Sequence, residues 1–236
     1  MIKSNEGYKT MKAKEIGAFV GVEDKLIENR NILPSHKVVY AYLKAHMNIN
    51  TKQTCISIDT LAKKTCYSRR TIVNAIAELS KQGAIIISKR SSEMRPGHLE
   101  HNVYEFPLKG NTFHMITIFF LSSQLLSVKE KEFLLLLFPY ILGNDTIGAV
   151  GKPATISVIA KMIGLTYVTV SKRIEGLRQK QLISEHYTRI NMYNDKEFVG
   201  YRIDMRTIMI DNTDNILKEN MRIRTIAEDY GLNLDK

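Results

Sequence analysis

The chain has 236 residues, of which 44% are apolar and 25% charged. That length suits one large domain or two small ones, and the composition excludes a disordered or fibrous chain. Its 34 Lys and Arg against 24 Asp and Glu leave a net charge of +10, which favours polyanionic partners: nucleic acid first, an anionic membrane surface second.

The membrane alternative weakens on inspection. The longest apolar run, Phe133 to Leu142, holds ten residues and is broken by Pro139; a spanning helix needs about 20. The opening stretch MIKSNEGYKTMKAKE lacks the apolar centre of a secretory signal. Cys55 and Cys66 are too few for a disulfide framework and read as packing residues. A cytoplasmic protein with no membrane partner is expected. The charge is uneven. Residues 1–110 hold 18 Lys and Arg against 10 Asp and Glu, net +8, and residues 111–236 hold 16 against 14, net +2. An isolated fragment of about residues 1–110 is therefore expected to keep duplex binding, and one of about 111–236 to bind far more weakly.

In chain order, residues 1–18 read as an N-terminal arm. Ser35 to Met47 is apolar at helical spacing. Ser57 is placed to cap a short helix, Ile58 to Thr65, and Cys66-Tyr67 forms a tight turn. Ser68 caps a second helix that ends at Gly83, where the missing Cβ permits a left-handed C-cap. AIIISKR and NVYEF then flank a loop with Pro96-Gly97 at its tip, which reads as a hairpin. Further on come a helix over Val128 to Leu142 and capped helices after Thr155 and Thr166. Strands follow near Leu182–Met192 and Phe198–Met205, turning at Asn194-Asp195-Lys196. A last helix is expected from Asp214 to Tyr230, with Ile216, Met221, Ile223, Ile226 and Tyr230 as its apolar members.

These elements repeat. At an offset of 98, Ile58–Ile85 lies over Ile156–Ile183 with seven identities in 28 positions: Ile58/Ile156, Ala62/Ala160, Lys63/Lys161, Thr71/Thr169, Ile76/Ile174, Leu79/Leu177 and Ile85/Ile183. Upstream, Leu33/Leu126, Tyr40/Phe133 and Leu43/Leu136 match at an offset of 93, which implies about five extra residues in the second copy. Two copies of one unit are therefore expected.

Helix, short helix, turn, helix and hairpin is the order of a winged helix. The segment FVGVEDKLIENRNILPSHKVVYAYLK, followed by CISIDTLAKKTCYSRRTIVNAIAELSKQGAIII, resembles the winged helix-turn-helix module of phage and plasmid replication proteins of low-GC bacteria. The resemblance covers Phe19 to Pro107. HMITIFFLSSQLLSVKEKEFLLLL through Ile183 resembles a more diverged second copy, and the tandem layout is similar to plasmid replication initiators. The fold class expected is α+β, mostly helical. It comprises an arm at 1–18, winged helices at 19–109 and 113–206, and a C-terminal helix at 207–236. The resemblance implies binding of double-stranded DNA at origin repeats, contact with host replication proteins, and a possible homodimer. A transcriptional regulator and a protein-interaction module without specific DNA binding are the alternatives.

On the helix after Ser68, Ile72, Ile76 and Leu79 mark the core face. Arg70, Asn74 and Lys81 lie opposite, and Arg69 flanks them in the first turn. The first turns of such a helix enter the major groove. Arginine forks onto guanine and asparagine onto adenine, which makes Arg70 and Asn74 the candidate base readers. Arg90, Arg95 and His98 belong to the first wing, placed for phosphate or the minor groove. In the second copy Tyr167 and Lys172 stand at the positions of Arg69 and Asn74, Val168 is placed for a thymine methyl, and Arg189 belongs to the second hairpin.

No cofactor, metal site or enzyme activity is expected. His98 and His101 fall short of a ligand set. Gly151-Lys152 is followed by Pro153 rather than Ser or Thr, so no phosphate-binding loop forms. No His-x-His, Gly-x-Ser-x-Gly or His-Glu-x-x-His occurs.

Overall fold

The computed structural model describes residues 19–48, 50–89, 102–107, 112–117, 120–121, 123, 125–141, 145–148, 153–189 and 196–204. The arm at 1–18, the expected helix at 214–230 and the tip of each hairpin lie outside these residues.

The chain is α+β, with about half of the described residues helical rather than most of them. It begins with β1 (Phe19–Glu23) and a short α1 (Asp24–Glu28), followed by α2 (Pro34–Ala45) and β2 (Gln53–Cys55). The pair α3 (Ile58–Thr65) and α4 (Arg69–Lys81) precedes the hairpin β3 (Ile86–Lys89) and β4 (Asn102–Glu105). These strands form an antiparallel sheet in the order β2-β4-β3, with Thr54 and Ile87 both opposite Tyr104.

The same order then recurs. β5 (Phe113–Thr117) leads to α5 (Val128–Leu137), α6 (Ile156–Ile163), α7 (Tyr167–Gln179) and the hairpin β6 (Ile183–Arg189) and β7 (Lys196–Ile203). The place of β2 is taken by Asp145–Ile147, through a bridge from Thr146 to Arg202 and the bonds Ile147 N to Tyr201 O (2.7 Å) and Ile203 N to Asp145 O (2.8 Å). Gly200 admits this segment: a Cβ there would lie 2.6 Å from the Ile147 carbonyl.

Local chemistry places the helix starts where the sequence suggests. Ser57, Ser68, Thr155 and Thr166 each accept a bond from the backbone N–H three residues on, the N-cap bond that satisfies an orphan donor. Ser127 and Glu130 add a reciprocal capping box to α5. Pro139 ends α5 early: the expected helix to Leu142 stops at Leu137 and tightens into one turn of 3-10 helix, Phe138–Tyr140.

The structure corrects the upstream offset. The first residues of α2 and α5, Pro34 and Val128, are 94 apart rather than 93. A side-chain bond repeats at the same spacing: Lys37 Nζ donates to Ile27 O at 2.5 Å and Lys131 Nζ to Leu121 O at 2.9 Å. Since α3/α6 and α4/α7 keep the offset of 98, the second copy is longer by four residues, not five.

What joins the copies is not visible as a motif. β1 pairs antiparallel with β5, with Gly21 opposite Met115, Phe19 opposite Thr117 and Glu23 opposite Phe113. At the offset of 94, Gly21 faces its own equivalent, and the pairs on either side exchange places. That register is what a local two-fold axis between the strands produces. α2 packs on α5 beside this ribbon, and the buried residues of both halves form one continuous core. Both helices are buried around nearly their whole circumference. Residue 110 is therefore no boundary between independent bodies. A cut there separates β1 from β5 and α2 from α5, and the halves are better compared by substitutions in the whole chain.

Left-handed backbone recurs as well. Cys66 (φ 60°) is matched by Gly164 (φ 71°), and Gly83 (φ 69°) by Gln181 (φ 59°). Each copy thus uses glycine at one of the two positions and strains an ordinary residue at the other. Cys66→Gly and Gln181→Gly are each expected to stabilise the protein by about 0.5–1 kcal/mol. Urea unfolding checks this, and a loss of stability in both variants would refute the account.

Burial also lowers the Lys37 ammonium to a pKa of about 8 and pulls Lys131 below the usual lysine range. The folded chain then binds fewer protons than the unfolded chain above about pH 8, so stability rises with pH there. Between about pH 8 and 9.5 Lys37→Met should flatten that rise by up to about 1.4 kcal/mol per pH unit. Urea midpoints with the same pH dependence as wild type would contradict the assignment.

Candidate nucleic-acid interface

α3, the Cys66–Ser68 turn and α4 form a helix-turn-helix. α4 turns Ile72, Ala75, Ile76 and Leu79 into the core. Its outward face carries Arg69, Arg70, Val73, Asn74, Ala77 and Lys81, all exposed. Its first turn holds two arginines and no acidic residue, so side-chain charge adds to the positive end of the helix dipole. Arg70 and Asn74 have no side-chain partner among the described residues and stand one turn apart, both open to solvent. Lys81 leans on Glu78 at 4.0 Å, which also accepts from Gln82 at 2.8 Å. Arg69 is ion-paired with Asp59 in the first turn of α3.

Two features of this face escape a reading by charge. Asp59 lies beside the arginines and engages one of them. Val73 stands exposed between Arg69, Arg70 and Ala77, where helical spacing alone had marked it neither as core nor as reader.

α7 presents Tyr167, Val168, Lys172, Glu175 and Gln179 to solvent. Glu175 is engaged by Arg178 at 3.8 Å and Gln179 at 3.3 Å, and Arg178 bridges onward to Glu185 at 2.6 Å. Lys172 is left free among the described residues. Arg189 closes β6 at its far end. Arg90, Arg95 and His98, with His101, fall outside the described residues, so the wing assignment stays an expectation.

Each turn is braced from outside its own helix pair: the first by α5, the second by the α1–α2 loop and the 3-10 turn after α5. The Tyr67 hydroxyl, next to the first turn, donates to Glu132 Oε1 of α5 at 2.8 Å, and Lys129 holds the same carboxylate at 2.9 Å. Burial, then the Glu132 charge and bond, push that hydroxyl well above the ordinary tyrosine range. At the second turn, Arg30 donates to Lys161 O at 3.1 Å and Tyr140 to Met162 O at 3.3 Å. Cys55 and Cys66 are exposed rather than packed: Cys55 ends β2, and Cys66 occupies the left-handed turn position. No group of three or more metal-ligating side chains occurs among the described residues, and no described helix is long and apolar enough to cross a membrane.

A family model of the helix-turn-helix domain matches residues 30–85. The match spans α2, α3 and α4 and ends at the start of the hairpin. It supports a winged or plain helix-turn-helix DNA-binding domain there, with DNA as the partner it suggests. No curated protein matches the chain.

With DNA as partner, Asp59→Asn should release Arg69 and remove a negative charge from the interface. Affinity for random duplex at low salt is expected to rise about two- to fivefold, the scale of an exposed ion pair. The slope of log affinity against log salt should steepen by up to about 1. Unchanged affinity and slope in a fluorescence-anisotropy titration would show that Asp59 does not restrain Arg69.

Proposed function

We propose that the protein binds double-stranded DNA sequence-specifically through two winged helices in tandem, without catalysis or cofactor, and that it initiates replication of a plasmid or phage by binding origin repeats. The observation that carries the DNA reading is the outward face of α4. It is a capped helix in a matched helix-turn-helix domain, with Arg70 and Asn74 exposed at its N-terminal half and unpartnered among the described residues. The repeat of element order supports a second winged helix, with α7 in the place of α4. The two-fold register of β1 and β5 supports a site made of two short, oppositely oriented halves read by one chain. Resemblance to tandem initiators favours replication over transcriptional control. Host replication proteins and a second copy of the chain are the further partners this role implies.

Selection of bound sequences from random duplex DNA tests the reading directly. Enriched sequences that recur as iterated repeats beside the gene support an initiator; a single palindrome in a promoter supports a regulator. If about 6 phosphates are neutralised, log affinity should fall with log salt at a slope near −5. Affinity that stays flat with salt would remove DNA as the partner.

Within α4, position separates two kinds of contact. Arg70 lies in the first turn, whereas Lys81 is the last residue of the helix and already leans on Glu78. Arg70→Ala should cost about 1–3 kcal/mol on the selected site and much less on random DNA. Lys81→Ala should weaken both equally and reduce the slope by at most about 1. Equal proportional losses in both variants would mean that this helix does not read bases.

A further inference from the structure

The solvent faces of the two reading helices share a property that their charge does not explain. Among the described residues, every large apolar side chain exposed on a helix lies on α4 or α7: Val73 at 44%, Tyr167 at 55% and Val168 at 59%. α1, α2, α3, α5 and α6 expose none, and the other exposed apolar residues lie in strands or loops. Two of the three are valines. A β-branched side chain loses rotamer freedom on a helix, so an exposed valine there does nothing for the fold and slightly opposes it. Val73 is surrounded by Arg69, Arg70 and Ala77, and Val168 stands at the position of Arg70 in the second copy. Both therefore sit within the faces assigned to the major groove.

The apolar feature of a major groove is the C5-methyl group of thymine. We propose that Val73 and Val168 read thymine by contact with that methyl group, one in each half of the DNA site. Arg70 and Asn74 then supply hydrogen-bonded readout in the first half. In the second half α7 has, among the described residues, only Lys172 as a free cation on this face, and it depends more on apolar contact. The inference rests on the DNA-binding reading above and adds to it the kind of base each helix prefers.

The test uses the full-length chain and the sequence selected from random duplex DNA. Each thymine of that site is replaced singly by deoxyuridine, which removes the methyl group and leaves the hydrogen-bonding edge unchanged. At least two thymines should each lose affinity about fourfold on replacement, the worth of one buried methyl-sized group. Val73→Ala should abolish the sensitivity at one of them and Val168→Ala at the other, with unchanged circular dichroism and melting temperature. Tight, selective binding in which no thymine responds to uridine would overturn the inference while leaving the DNA reading intact. So would sensitivities that persist unchanged in both alanine variants. Failure to bind any duplex at low salt would overturn the DNA reading itself, and this inference with it.

Discussion

The packing of α2 against α5, beside the β1–β5 ribbon, is the contact on which the rest of the molecule depends. Each helix is buried around most of its surface, polar residues included, and so has to be covered on nearly every side. α2 is covered by α3, α4 and β1 in its own half and by α5 in the other. The ribbon gives β1 and β5 a partner each, where otherwise two short strands would offer open edges. Even the polar groups of this centre are doubled. Lys37 and Lys131 each reach the carbonyl end of the preceding segment, and both accept a depressed pKa in doing so. Glu23, at the end of β1, is buried and held by the Tyr40 hydroxyl and Lys44.

A shared core bears on the proposal that α4 and α7 both meet DNA. Two modules on a flexible linker lose orientational freedom when both engage DNA, and that loss is subtracted from affinity. Here Tyr67, between α3 and α4, is tied to α5 through Glu132, and the end of α6 is tied to the α1–α2 loop and to the 3-10 turn after α5 through Arg30–Lys161 and Tyr140–Met162. α4 and α7 are thereby positioned before any ligand arrives. A site whose halves are spaced or oriented differently would gain the contacts of one helix only, so spacing itself becomes a source of specificity.

How legible each part was depends on the range of the interactions that form it. Ser57, Ser68, Thr155 and Thr166 cap where expected because a cap needs only the next three residues. The hairpin strands and the left-handed Gly83 were readable for the same reason. β1, β2 and β5 were not: each is short, and its partner lies about 50 to 100 residues away in sequence. The helix offset is ambiguous by one residue in sequence because a run of leucines in α5 lets Tyr40 and Leu43 fall on apolar residues in either alignment. The Lys37 and Lys131 bonds, which fix it, exist only in three dimensions. At the interface, helical periodicity exposed Arg70 and Asn74 correctly. It cannot pair Arg69 with Asp59, which belongs to the preceding helix, and charge alone does not single out Val73.

The two copies supply one more argument, because each tests which residues the architecture requires. Six of the seven identities between Ile58–Ile85 and Ile156–Ile183 are buried or half-buried positions on the helices and the strand after them; only Lys63/Lys161 is exposed. The Thr71/Thr169 pair bonds to the caps Ser68 and Thr166 at 2.8 Å, so even a polar identity serves the shared geometry. The left-handed turn positions are kept as shapes while their residues are exchanged, cysteine for glycine and glycine for glutamine. No identity falls on the outward faces of α4 and α7. There Arg69, Arg70, Val73, Asn74 and Ala77 stand against Tyr167, Val168, Ser171, Lys172 and Glu175. Identities concentrated in the core and absent from two corresponding outward faces mean that the fold itself does not fix the residues of those faces. On an asymmetric DNA site the two surfaces would meet different bases, and the copies would have no reason to agree.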